Sequence, residues 1–93
     1  MSKYAKRVDV NQKEIVKVLR DLNCSVVHLH ECGKGIPDLL VGKDDITYLV
    51  EIKRDAKASF TSAQIEFQSS WTGSPVVRIN NVDEAIAFVK NMV

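Results

Sequence analysis

Pro37-Asp38 is followed, after twelve residues, by Glu51-Ile52-Lys53 at the end of a second apolar run. On an extended strand, side chains two apart share a face, so Glu51 and Lys53 point one way while Ile52 turns into the opposite layer. Asp38 opens the run Leu39-Leu40-Val41 and Glu51 closes Ile46-Thr47-Tyr48-Leu49-Val50; the polar Lys43-Asp44-Asp45 between them predicts a hairpin. Pairing the two strands brings Asp38 beside Glu51, where two hard oxygen donors can hold Mg²⁺ or Mn²⁺ and leave positions for water and a phosphate oxygen. Such an ion makes hydroxide available, and Lys53 can orient that water or offset charge building on a phosphoryl transition state. The same residues admit a structural reading, with Asp38 capping a turn after Pro37 and Glu51 and Lys53 forming an ion pair at a sheet rim.

Further segments extend the pattern. Gly35-Ile36-Pro37-Asp38-Leu39-Leu40, Val50-Glu51-Ile52-Lys53, Ser59-Phe60-Thr61-Ser62-Ala63-Gln64, and Gly73 before Val76-Val77-Arg78 together cover almost the whole chain. In these segments the chain resembles the VRR-NUC branch of the PD-(D/E)XK nuclease superfamily. The resemblance implies an α/β, restriction-endonuclease-like core, αβββαβ(α), with a central mixed four-stranded sheet flanked by helices. It also implies a stand-alone nuclease domain of the viral or bacterial type that cuts DNA with Mg²⁺ or Mn²⁺, its small members resembling homodimers that act on four-way junctions. Carried over by position, Asp38 and Glu51 are metal ligands, the Ile52 carbonyl a further ligand, Lys53 the catalytic lysine and Gln64 the motif glutamine. Glu14 matches the acidic residue of the first helix, which the resemblance makes a further metal ligand. Arg54 departs from the pattern, which more often has a small or turn-forming residue there; with Lys34 and His30 it is an expected DNA contact.

The elements that must position these residues follow from periodicity. Residues 11–23 predict an amphipathic helix with Asn11 as N-cap and Ile15, Val18, Leu19 and Leu22 on one stripe. Lys6, Lys13, Lys17 and Arg20 fall on the opposite face, either a solvated surface or a DNA contact. Glu14 lies on the border between the faces. Alternation predicts a first strand from Ser25 to His30, which puts His28 and His30 on one face. Cys24, His28, His30 and Cys32 contain zinc-ligand types, but they lack Cys-x-x-Cys spacing and a straight strand would part the cysteines by about 25 Å. The residues favour His30 at the mouth of the site over a zinc centre. Gly33-Lys34-Gly35 reads first as a turn, with Lys34 at its tip placed to touch a phosphate.

Thr61 and Gln64 have capping-box spacing, and Phe60 and Ile65 have that of a hydrophobic staple, so a helix begins at this point. Gln64 can therefore serve the helix cap; alternatively, because it shares the i, i+3, i+7 stripe of Phe67 and Trp71, it can face inward to the site. Gly73 is expected to end this helix and Pro75 to prevent its continuation. Val76-Val77-Arg78-Ile79 predicts a fourth strand reached by a right-handed parallel crossover. Asn81 and Glu84 cap a last helix that carries Val82, Ala85, Ile86 and Val89.

Ninety-three residues predict one domain, residues 1–93, with a core adequate for stability. Met1-Ser2-Lys3-Tyr4 leads into charged sequence, there is no apolar run of spanning length, and two cysteines are too few for a disulfide framework; the expectation is a cytoplasmic protein, one a virus can encode. A formal net charge of +1 argues against binding nucleic acid by bulk electrostatics. Eleven of the thirteen Lys and Arg residues nevertheless lie in residues 1–57, where bound metal would also neutralise acids. The leading expectation is a metal-dependent, structure-selective DNA endonuclease with no membrane partner and no organic cofactor. The alternatives are a non-catalytic DNA-binding or assembly module with the same fold, and a structural interaction domain.

Overall fold

Ile15, Val16 and Leu19 recur at helical spacing, and helix α1 (Gln12–Asp21) buries all three together with Gln12. The computed structural model describes residues 10–92; Lys6 of the expected basic face and the Met1-Ser2-Lys3-Tyr4 start lie outside the described residues. The helix stops at Asp21 because Asn23 takes a left-handed conformation (φ 71°). The Cys24 amide then donates to the Leu19 carbonyl and the Asn23 amide to that of Arg20, a Schellman closure with asparagine in the place usually held by glycine. Asn11 does not cap the helix. Its backbone is already helical, and its side chain points away to two strand ends.

Four strands follow: β1 (Ser25–His28), β2 (Leu39–Lys43), β3 (Ile46–Ile52) and β4 (Val77–Ile79). They lie in the order β1-β2-β3-β4, antiparallel across the first two junctions and parallel across the last. β1 ends before the expected His30 because the chain turns into a 3₁₀ turn at His30–Cys32. β2 and β3 are joined through Asp44 and Asp45, both with positive φ, the two-residue turn whose twist suits a tight hairpin. Helix α2 (Ser62–Ser70) connects β3 to β4, and α3 (Val82–Lys90) closes the αβββαβα order. The expected mixed four-stranded α/β architecture is therefore present.

The strand period separates the sheet into two faces. Val26, Leu39, Val41, Val50, Ile52 and Ile79 are buried with Ile15, Val16 and Leu19 of α1 and Ala85 of α3, and form the core. The other face carries Glu51, with Arg78 beside it in the parallel register. Helix α2 begins above this second face. It ends three residues before Gly73, where Trp71 turns extended while its ring stacks on Phe67 at 5.5 Å and its indole N–H donates to the Ser74 carbonyl. Gly73 thus does not supply the expected helix stop; a Cβ there would crowd the Trp71 indole. At α3, Asn81 accepts from the Glu84 amide as expected, whereas the Glu84 carboxylate reaches back to the Asn80 amide. Among the described residues, no helix is long and apolar enough to cross a membrane.

Candidate active site

The β2-β3 register pairs Leu39 with Val50. One step further along the same register, Asp38 faces Glu51 and Pro37 faces Ile52. Pairing with β2 stops at Leu39, so the Ile52 amide on that edge needs another acceptor. It donates to Asp38 Oδ2 at 2.8 Å, which fixes the orientation of that carboxylate at the strand end. The Ile52 side chain points the other way, into the core.

Glu51 and Lys53 share the opposite face, as their spacing predicts, and both are buried, at 3% and 9% exposure. Their direct separation is 3.9 Å, and between them stands Gln64. Its Nε2 donates to Glu51 Oε2 at 2.9 Å, while its Oε1 accepts from Lys53 Nζ at 2.8 Å. The same Oε1 accepts from the Thr61 amide at 2.8 Å, and Thr61 Oγ1 accepts from the Gln64 amide. The two roles open to Gln64 are therefore filled at once. With its carbonyl oxygen committed to two donors, the amide can present only its NH₂ to Glu51. The capping box of α2 is in this way part of the site.

Gly35 sets the distance between loop and helix. Its φ is +77°, and an added Cβ would collide with the Ala63 carbonyl and the Gln64 amide nitrogen. The Gly33-Lys34-Gly35 turn thus lies directly against the first turn of α2. Lys34 is exposed at its tip and lines a small hollow with Ala63, Glu66, Phe67 and Ser70.

The remaining expected residues are placed less centrally. Glu14 is exposed, off the buried stripe of α1. It lines an open cleft with Lys13, Lys17, His28, His30 and Arg54. No three His, Cys, Asp or Glu side chains are gathered as a metal set among the described residues. The helix turn that buries Ile15 carries Glu14 to the exposed side of α1. The zinc alternative has no support either, with Cys24 buried and Cys32 exposed. Lys13, Lys17 and Arg20 are exposed, as the basic face requires; Lys17 pairs with Asp21 at 2.8 Å and Arg20 donates to the Val26 carbonyl. His30 sits edge-on to His28 at 5.9 Å, and Arg54 is exposed beside Asp55.

Three residues near the site carry roles the sequence does not announce. Asn11 Nδ2 donates to the carbonyls of Lys53 and Asn80, tying together the ends of β3 and β4. Phe60 does not staple to Ile65, which is 57% exposed; its ring lies 5.5 Å from Lys53 Nζ and 5.2 Å from the Arg78 guanidinium. Only the parallel register, which sets Arg78 beside Glu51, would have pointed to Arg78.

Two buried carboxylates with no thiol or imidazole among them make a hard-oxygen donor set. That chemistry fits Mg²⁺ or Mn²⁺, which take one or two carboxylates and fill the rest of their coordination with water and phosphate oxygen. Asp38 and Glu51 would hold such an ion, with the Ile52 carbonyl, between Glu51 and Lys53 in the chain, as the expected main-chain ligand.

The chain matches no family model and no curated protein sequence. Its fold is similar to that of a solved VRR_NUC domain, with a TM-score of 0.73 and 22% identity over 88% of this chain and 92% of the other. That likeness shows the fold and agrees with the architecture expected from the motifs.

Proposed function

We propose that the chain is a divalent-metal-dependent endonuclease that hydrolyses DNA phosphodiester bonds at the Asp38, Glu51, Lys53 and Gln64 site. The observation that carries this reading is the burial of two acids, a lysine and a glutamine at 3 to 9% exposure on one sheet face, joined by directed hydrogen bonds. Burying charges costs several kcal/mol per ion unless it is offset, so such a cluster is weak support for stability alone. The fold of a VRR_NUC domain supports the same reading.

A bound Mg²⁺ or Mn²⁺ would supply Lewis acidity toward a phosphate oxygen and lower the pKa of a water. The chain's own residues do the rest. Asp38 is held by the Ile52 amide and Glu51 by the Gln64 amide, so neither carboxylate has to reorganise when substrate arrives. Lys53, fixed by Gln64, presents a positive charge beside Glu51, where negative charge builds as water attacks phosphorus and one P–O ester bond breaks. Gln64 keeps Lys53 from collapsing onto Glu51. Exposed Lys34, against the start of α2, and half-buried His30 with exposed Arg54, in the cleft beside α1, offer contacts to the DNA backbone in this reading.

The preferred substrate in this reading is branched DNA, including four-way junctions, cut by a homodimer. One such site cuts one strand, and two-fold symmetry provides the second cut. Incubation with linear duplex, single strand, flap, fork and four-way junction, each with and without Mg²⁺ or Mn²⁺, tests this directly. Metal-dependent cutting that favours branched forms, with twice the monomer mass by light scattering, is the expected result. Binding without cutting in any metal would instead support the non-catalytic DNA-binding module. Junction resolution fails as a reading if the protein is a strict monomer on and off DNA.

A further inference from the structure

Arg78 has more directed contacts than a strand residue needs. Its Nη2 donates to the carbonyls of Asp55 at 2.8 Å and Ala58 at 2.7 Å, and its Nε donates to Asn80 Oδ1 at 2.8 Å. Those two carbonyls belong to the segment that runs from Lys53 to α2, which is further shaped by Asp55 Oδ1 accepting from the amides of Lys57 and Ala58. Phe60 lies two residues beyond Ala58, with two cations over its ring: the Arg78 guanidinium at 5.2 Å and Lys53 Nζ at 5.5 Å from its centre. Arg78 and Lys53 have like charges and stand on neighbouring strands at one end of the sheet. The ring attracts both through its π system, which offsets part of their repulsion.

We propose that Arg78 is a positioning residue for Lys53: it clamps the Asp55–Ala58 carbonyls so that Phe60 is held against the lysine side chain, which directs Nζ onto Gln64 Oε1. This rests on the nuclease reading of the site, and assigns to that reaction a residue outside the Asp-Glu-x-Lys pattern. Lysine has four rotatable side-chain bonds, and the hydrogen bond to Gln64 fixes Nζ without fixing the stem that carries it. Phe60 closes a second side of its channel. The guanidinium fork is needed because the single ammonium of a lysine at position 78 cannot reach two carbonyls and Asn80 together while staying over the ring.

The test compares wild type with Arg78→Lys, Arg78→Gln and Phe60→Leu by two independent readouts. In ¹H–¹³C spectra, the Lys53 side-chain resonances of the wild type lie upfield of the other lysines through the Phe60 ring current. Phe60→Leu removes that shift, and both Arg78 variants reduce it. With Mn²⁺ and DNA, kcat falls on the order of ten- to a hundredfold in all three variants while KM and Mn²⁺ affinity stay near wild type, as expected when a reacting group is displaced by about an ångström. Phe60→Leu leaves the Arg78 clamp itself in place, so it reads the effect on Lys53 even if an Arg78 variant folds poorly. An upfield Lys53 signal retained in both Arg78 variants, full rescue by Arg78→Lys, or an unchanged kcat would overturn the proposal. A wild-type protein that cuts no DNA would overturn the nuclease reading instead, and the spectra would still decide whether Arg78 holds Phe60 over Lys53.

Discussion

The two faces of the sheet are built on opposite principles. Under α1 and α3 the contacts are apolar: Ile15, Leu19, Leu39, Val41, Val50 and Ile52 are almost wholly excluded from water. Burial of this kind is non-directional and stabilises in proportion to area. Beneath the start of α2 the buried residues are Glu51, Lys53 and Gln64, and the contacts are directed hydrogen bonds. The helices differ in the same sense. α1 has one buried stripe, whereas Gln64 is the only buried residue of α2. A stripe holds α1; a capping box and a glycine hold α2. Stability is thus concentrated on one face, and the other is free to keep charged groups in fixed positions.

This contrast can be broken by substitution. Leu19→Ala, on the core face, should cost about 3 to 4 kcal/mol, read as a lower denaturant midpoint with an unchanged slope. Activity per folded molecule should be unchanged. Lys53→Ala should act mainly on the rate, losing on the order of 10²-fold in cleavage while Mn²⁺ binding holds; its metal-free melting temperature should fall, because buried Glu51 loses the cation that offsets its charge. Equal loss of metal affinity would make Lys53 a structural residue. Gly35→Ala should destabilise by more than the roughly 1–2 kcal/mol that a left-handed Cβ costs by itself, because the clash with the backbone of Ala63 and Gln64 is added to it. Because that clash pushes on the first turn of α2, its cleavage rate should fall as well. Thr61→Ala removes the cap and should cost about 1 kcal/mol, with a smaller loss of rate through Gln64.

The smallest effect concerns the thiols and belongs to the core face. Burial pushes the Cys24 thiol above its ordinary pKa, with Lys43 opposing and Asp44 adding to the shift. Because the folded value is the higher one, this contribution to stability is complete below the thiol's unfolded pKa, about 8.5, and is lost as pH rises through the folded value. Wild type should therefore lose more melting temperature than Cys24→Ala between neutral and alkaline pH. A thiol reagent should modify exposed Cys32 at once and Cys24 only on unfolding.

Period and turn chemistry made much of the fold legible. Alternation fixed the faces of Glu51, Ile52 and Lys53, and Thr61 with Gln64 marked the start of α2 to the residue. What the sequence hid depends on contacts between distant segments. Asn11 has the residue type of a helix cap, yet its side chain spans 69 positions to the Asn80 carbonyl. Phe60 has staple spacing, but the two cations beside it come from positions 53 and 78. Gly73 looked like a helix stop, and the stacking of Trp71 on Phe67 ends α2 first.

The most direct measurement is cleavage of branched DNA in Mn²⁺ by wild type and Glu51→Gln, with melting temperatures recorded in the absence of metal. Glu51→Gln keeps the size of the side chain and removes the buried charge that faces Asp38 and Gln64. The account predicts that cleavage is abolished while the melting temperature is unchanged or higher, since an ionised carboxylate no longer has to be kept out of water. Cutting at the wild-type rate by Glu51→Gln, or by wild type without a divalent ion, would contradict it.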